Sequence, residues 1–344
     1  MNPLALSIII SSLALGTITT LSSFHWILAW IGLEINTLAV IPLMTKTPHP
    51  RSIEAATKYF LTQATASALI LFASTLNAWL TGEWAIDTNL SPFSSILLSI
   101  AILTKLGVAP FHFWLPEVLQ GVTLQTGLIL STWQKFAPMA LISQFPQSVN
   151  LNLMLTLGLL STLIGGWGGI NQTQIRKILA FSSIAHLGWM IAILKISPSL
   201  SLLNFTLYII MTSTMFIIFI NLNTKNVSQL STTWSKAPAI TTLSLLSLLS
   251  LSGLPPLTGF LPKWLIAQEL VKQNLTLFAF LILLSSLLSL FFYLRLTYTM
   301  SLSLAPNSSN SSTSWLFKKP NFLSAPTLLT LCLLPISPMF SFTM

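Results

Sequence analysis

Long apolar runs, separated by short polar ones, dominate the chain. An α-helix needs about 20 apolar residues to cross the hydrocarbon of a bilayer. By that length the pattern predicts about eleven crossings, at 3–23, 25–44, 58–81, 93–120, 124–143, 150–170, 175–195, 199–222, 239–271, 275–299 and 323–342. The connections are short and leave no room for a soluble domain, so the whole of 1–344 reads as a single transmembrane domain. A Ser/Asn-rich stretch from Ala305 to Asn321 reads as a surface loop. The opening run after Met1-Asn2-Pro3 lacks a basic segment and a cleavage motif, which predicts a retained first helix.

Two runs, 93–120 and 239–271, are too long for one straight crossing and contain prolines. They also align without gaps. Gly107-Val108-Ala109-Pro110-Phe111-His112-Phe113-Trp114-Leu115-Pro116-Glu117 matches Gly253-Leu254-Pro255-Pro256-Leu257-Thr258-Gly259-Phe260-Leu261-Pro262-Lys263. Proline donates no backbone hydrogen bond, so Pro110 should free the carbonyl of Leu106, and Pro256 that of Ser252. In lipid, freed carbonyls are tolerated only beside protein or a wet cavity. A packing kink explains either proline alone. The matched pair predicts two interrupted helices, a pattern that marks ion pathways in transporters.

Composition supports a membrane chain. Of 344 residues, 53% are hydrophobic and 6% charged, against about 25% charged in soluble domains. The net charge of +9 is spread singly or in pairs over the loops, not gathered into a nucleic-acid patch. With eleven crossings, one side collects Lys46, Arg51, Lys58, Arg176, Lys177, Lys225, Lys236, Lys318 and Lys319. The other holds Lys195 and Lys272 with the acidic Glu83 and Asp87. Positive loops face the matrix or cytoplasm, so the N-terminus should lie there.

The inventory excludes several chemistries. Cys332 is the sole cysteine, so neither a disulfide framework nor a self-contained Cys-ligated cluster is possible. His25, His49, His112 and His186 lack metal-ligand spacing. Neither a Walker loop nor a nucleophile elbow is present. Gly165-Gly166-Trp167-Gly168-Gly169 ends an apolar run and fits close helix packing.

Charge inside the predicted crossings is the candidate chemistry. Glu34, Lys105, Lys135 and Lys263 each lie within a run. Each costs roughly 2.5–3.5 kcal/mol at a helix centre, and the four together about 10–14 kcal/mol. That approaches the whole stability of a domain, which points to a functional need. Burial disfavours the charged form of an ionisable group and an opposite charge restores it. A buried lysine with a variable carboxylate partner can therefore take up and release a proton. Glu34 is the natural partner, and Lys105 the expected pair. Lys135 and Lys263 would relay, with His186 bridging them. A structural hydrogen bond between helices is the rival role for His186, and snorkelling to the interface that for Lys263. His112 either relays or caps freed carbonyls. Glu117 ends its run and suits proton entry. His25 and His49 lie near the interfaces and take no role.

These stretches resemble a known family. Trp30-Ile31-Gly32-Leu33-Glu34-Ile35-Asn36, the Lys105–Val118 run, Trp133-Gln134-Lys135, Arg176 through His186, and Ser252 through Trp264 are similar to the NADH-ubiquinone oxidoreductase chain 2 family of respiratory complex I. The resemblance implies an all-α polytopic, antiporter-like subunit of the proton-pumping membrane arm, built from two inverted five-helix repeats. It also implies the Glu34–Lys105 pair, the central Lys135, and Lys263 on the second broken helix. The setting it implies is the mitochondrial inner membrane, beside other antiporter-like subunits and lipids. No cofactor is implied for this chain; NADH, FMN, iron–sulfur clusters and ubiquinone would belong to other subunits. A stand-alone cation/proton antiporter and a structural scaffold are the rival readings; a quinone-binding redox subunit fits poorly, since redox ligands are lacking.

Overall fold

The computed structural model of the chain describes residues 2–86, 90–235, 237–255, 257–301 and 324–332. Asp87, Pro256, Lys236, the 305–321 stretch with Lys318 and Lys319, and most of 323–342 lie outside the described residues. The described chain is helical, with two isolated β-bridges. It divides into two compact units, Met1–Gly158 with Leu194–Pro198, and Leu159–Ile193 with Ser199–Met344.

The first unit contains α1 (Pro3–Leu21), α2 (Trp26–Met44), α3 (Pro50–Thr81), α4 (Pro92–Leu106), α5 (Trp114–Gly121), α6 (Leu124–Ser131) and α7 (Trp133–Gln144). The helix α8 (Leu151–Ile170) runs from the first unit into the second. There follow α9 (Ile175–Leu194), α10 (Pro198–Leu222), the short α11 (Val227–Leu230) and a 3-10 turn at Thr233–Ser235. The last are α12 (Pro238–Ser252), α13 (Phe260–Lys272), α14 (Thr276–Ser301) and α15 (Ser324–Cys332). Among the described residues seven helices are long and apolar enough to cross a membrane: α1, α2, α3, α8, α9, α10 and α14. The regions expected as crossings at 93–120, 124–143 and 239–271 are each built from two shorter helices.

The same local order occurs twice. Three long helices precede a 15-residue one, which a left-handed glycine ends; in the second case α11 and the 3-10 turn come between them. Gly107 (φ 78°) ends α4 and Gly253 (φ 80°) ends α12. Positive φ suits glycine, which has no Cβ to clash with the following carbonyl. At both ends the glycine N–H and the next N–H fold back onto the last turn. Gly107 and Val108 reach the carbonyls of Thr104 and Leu103; Gly253 and Leu254 reach those of Ser250 and Leu249. The chain resumes as helix at Trp114 and at Phe260, the aligned positions of the sequence repeat. Loop pairing repeats as well. Trp26 N–H bonds Trp84 O (3.1 Å) and Ile86 N–H bonds Phe24 O (3.0 Å); Ile175 N–H bonds Lys225 O (3.1 Å) and Val227 N–H bonds Thr173 O (3.0 Å).

Two elements differ from the apolar pattern. The α3 helix starts at Pro50 instead of residue 58. Its start is fixed by Pro50 at the first helical position and by reciprocal capping: His49 Nδ1 accepts from Arg51 N–H (3.1 Å) and Ser52 Oγ accepts from His49 N–H (3.3 Å). His25 likewise caps α2, accepting from Ile27 N–H at 3.3 Å. The 124–143 region breaks at Thr132 (φ −113°, ψ −72°), whose Oγ1 bonds back to Leu128 O at 2.6 Å.

Large apolar side chains such as Trp79, Trp167 and Leu277 face outward, as expected where lipid is the solvent. Many interior polar groups close onto their own helix. Ser182 and Ser183 donate to the carbonyls three residues back, Leu179 and Ala180, both at 2.8 Å. This satisfies hydroxyls where water is absent.

Candidate functional site

In the first unit, polar side chains converge on a cavity between α2, α3, α4 and α7. Its wall includes Thr37, Tyr59, Gln63, Gln134, Lys105 and Lys135. Its volume is about 10 Å³, by the measure in which one water needs roughly 10–15 Å³. Lys105 and Lys135 are 5% and 3% exposed. Lys105 belongs to the last turn of α4, two residues before Gly107 opens the break. Lys135 belongs to the first turn of α7, three residues past Thr132. Two of the predicted lysines therefore share one small polar space.

Helix geometry explains why these residues meet. Tyr59 and Gln63 are four apart on α3 and lie on its buried face with Ala55, Ala56, Ala66 and Ser67. Small neighbours let the adjoining helices come close and leave room for the two longer polar side chains. Pro138 inside α7 has no N–H for the carbonyl of Gln134, which weakens the ladder next to Lys135. Tyr59 donates to Gln134 Oε1 (3.4 Å), and Gln134 Nε2 donates to the carbonyl of Asn36 on α2 (3.3 Å).

Glu34 lies half-buried on α2, with its backbone carbonyl accepting from Thr37 Oγ1 at 2.9 Å. The expected direct pair with Lys105 does not form: Glu34 Oε2 and Lys105 Nζ are both buried without a hydrogen-bond partner among the described residues. The two charges interact through space instead, and the field of Glu34 also reaches Tyr59. Unbonded buried polar atoms are rare and call for water, strain or function as the explanation. The neighbouring cavity, with room for about one water, is suited to hold one.

The other predicted residues are distributed differently. His112 lies in the break between α4 and α5, 5% exposed, with Nδ1 without a hydrogen-bond partner among the described residues. Beside it, Trp114 Nε1 bonds the Thr104 carbonyl in the last turn of α4 at 3.1 Å. Glu117 is on the exterior, where it and Glu54 both pair with Lys58 at 2.6 and 2.7 Å. In the second unit, His186 of α9 lies beside Tyr208 of α10, ring centroids 5.7 Å apart. Lys263 of α13 reaches back across the second break to donate to Ser252 O at 2.7 Å. That carbonyl is the one expected to be left open by the break.

Sequence reasoning missed Tyr59, Gln63 and Gln134. The available signal was modest: a Tyr and a Gln four residues apart inside an apolar run, and a Gln beside a buried Lys.

Comparison with known proteins places this arrangement in context. The model of the NADH:quinone oxidoreductase/Mrp antiporter membrane family matches residues 23–289. That of the NADH dehydrogenase subunit 2 C-terminus matches residues 290–341. NADH-ubiquinone oxidoreductase chain 2 of Aquarana catesbeiana is 62% identical over 340 residues, covering 98% of each chain. The same protein of Xenopus laevis is 61% identical over 342 residues, covering 98% of this chain and 99% of that one. Among solved structures, a chain of respiratory complex I from Thermus thermophilus with bound aureothin superposes with a TM-score of 0.87 at 26% identity, covering 98% of this chain and 80% of its own. A chain of the Mrp complex from a Dietzia species shares the fold, with a TM-score of 0.80 at 17% identity over 94% of this chain and 73% of its own.

Proposed function

The chain belongs to the NADH-ubiquinone oxidoreductase chain 2 family, and on that premise we propose that it is a proton-translocating subunit of the membrane arm of respiratory complex I. The observation that carries this reading is the cavity on which Lys105 and Lys135 meet hydroxyl and amide side chains inside apolar helices. A buried amine there is useful only if its proton comes and goes. Glu34, coupled to Lys105 through space and not locked to it by a salt bridge, is suited to bias that exchange.

The proton path in this reading starts with Glu34 and Lys105, passes to Lys135, and continues through His186 and Lys263. A neutral imidazole has a donor and an acceptor nitrogen and can pass a proton between them. Lys263 keeps its place in either protonation state, because a neutral amine still has N–H groups to donate to Ser252 O. His112, with its unbonded Nδ1, and the exposed Glu117 are lesser members, the first beside the break and the second at the surface.

The wider setting follows from the same reading. The chain is a multi-pass membrane protein. It crosses the mitochondrial inner membrane about eleven times, with its N-terminus on the matrix side. Its partners are neighbouring complex I subunits, including other antiporter-like ones, and the lipids against its apolar exterior. NADH oxidation and ubiquinone reduction, with FMN and the iron–sulfur clusters, take place in other subunits, and this chain binds none of these cofactors.

Lys135→Met in the assembled complex is the test. It removes the amine and keeps an apolar stem of similar length. Proteoliposomes should lose most NADH-driven proton uptake. A scaffold subunit would keep it, and a stand-alone exchanger would instead move ions when purified alone.

A further inference from the structure

We propose that the Tyr59 hydroxyl carries protons across the cavity between Lys105 and Lys135, with Gln134 as the positioning residue that holds it between transfers. This rests on the proton-translocating reading above and adds two side chains to it.

Tyr59 is 2% exposed and lies on the cavity wall with both lysines. Its ring packs on Trp114, centroids 5.7 Å apart, so the ring is held while the hydroxyl can still rotate. The bond from that hydroxyl to Gln134 Oε1 is 3.4 Å, well beyond the usual range of about 2.5–3.0 Å for O–H···O contacts. It is a weak latch, easily released. The latch itself is fixed, because Gln134 Nε2 is bonded to the Asn36 carbonyl at 3.3 Å. Lys105, by contrast, lines the same space with an ammonium nitrogen that has no hydrogen-bond partner among the described residues.

A phenol has one donor and two acceptor lone pairs. While its O–H donates to Gln134 Oε1, Tyr59 still offers a lone pair to the cavity. An N–H bond of the Lys105 ammonium breaks, and its proton, passed through one cavity water, forms a new O–H bond on the phenol oxygen. The hydroxyl turns from Gln134, its original O–H bond breaks, and that proton forms an N–H bond on the neutral Lys135 amine across the cavity. Lys105 ends neutral, Lys135 ends protonated, the phenol returns neutral, and rotation restores the bond to Gln134. The Gln134 amide never changes protonation; it sets where the hydroxyl waits. A purely structural Tyr59 would only fill space against Trp114.

Tyr59→Phe removes the hydroxyl and keeps the ring. In proteoliposomes of the assembled complex it should slow NADH-driven proton uptake by about tenfold or more and raise its solvent deuterium isotope effect. Gln134→Leu should give a smaller loss, because the hydroxyl remains but has lost its holder. If Tyr59→Phe pumps within about twofold of the unaltered complex while Lys135→Met has lost uptake, the inference falls and the proton-translocating reading stands. If both pump normally, both fall. Should Tyr59→Phe not assemble, Gln134→Leu decides: normal uptake with a normal isotope effect overturns the inference.

Discussion

Replacing Lys263 by methionine isolates one bond at the second helix break. The Lys263 ammonium donates to Ser252 O at 2.7 Å, and Ser252 is 1% exposed. Among the described residues the Gly253 turn closes the carbonyls of Leu249 and Ser250, and the Lys263 ammonium is the donor given to Ser252 O. Methionine keeps the length and apolar stem and removes the donor. Leaving a buried carbonyl without its partner costs about 1–3 kcal/mol. A midpoint of about 2 kcal/mol is roughly a 30-fold shift toward local opening. Hydrogen exchange by mass spectrometry on the assembled complex should show it at the amides of Gly253, Leu254 and Leu257, which hold the turn. Lys263→Arg, which retains N–H donors, should stay much closer to the unaltered protein. Equal protection in Lys263→Met would mean that the turn stands without the lysine, and the assignment of Lys263 to this carbonyl would be mistaken.

Two further outcomes follow from the packing. Gly32→Ala would put a Cβ 2.5 Å from Thr19 Oγ1 and 3.0 Å from the Gly16 carbonyl, forcing α1 from α2 close to Glu34. It should destabilise the subunit by about 1–3 kcal/mol, seen as a lower melting temperature of the assembled complex; an unchanged one would mean the crossing is not tight. Glu117→Gln should leave that melting temperature where it is, because Glu117 and Lys58 are both solvent-exposed and water replaces their pairing. A fall in proton uptake without a fall in melting temperature would place Glu117 at proton entry.

The long helices were legible because lipid enforces them: every backbone group must be satisfied within the segment, so apolar length alone marks a crossing. The breaks were legible for a related reason. Glycine at 107 and at 253 takes a left-handed turn without a Cβ clash, and the prolines that follow resist a return to helix. The break at Thr132 was not legible, because threonine also fits a continuous helix and its back-bond to Leu128 decides locally. The early start of α3 was hidden since Arg51, Glu54 and Lys58 read as loop, while the cap that starts the helix depends on the rotamers of His49 and Ser52. Within the site, charge in apolar runs singled out Lys105, Lys135 and Glu34. It could not fix the separation of Glu34 from Lys105, which helix rotation sets by amounts that spacing along the chain does not record. Uncharged Tyr59, Gln63 and Gln134 escaped notice because polar side chains without charge are common in membrane helices.

Arginine in place of Lys105 distinguishes a proton carrier from a fixed positive charge. Its guanidinium keeps charge and donors but holds its proton at any working pH. Protons taken up per NADH oxidised, measured in proteoliposomes with Lys105→Arg and Lys105→Met complexes side by side, should fall in both. If arginine restores the full ratio while methionine does not, the site needs only a standing charge, and Lys105 does not carry protons.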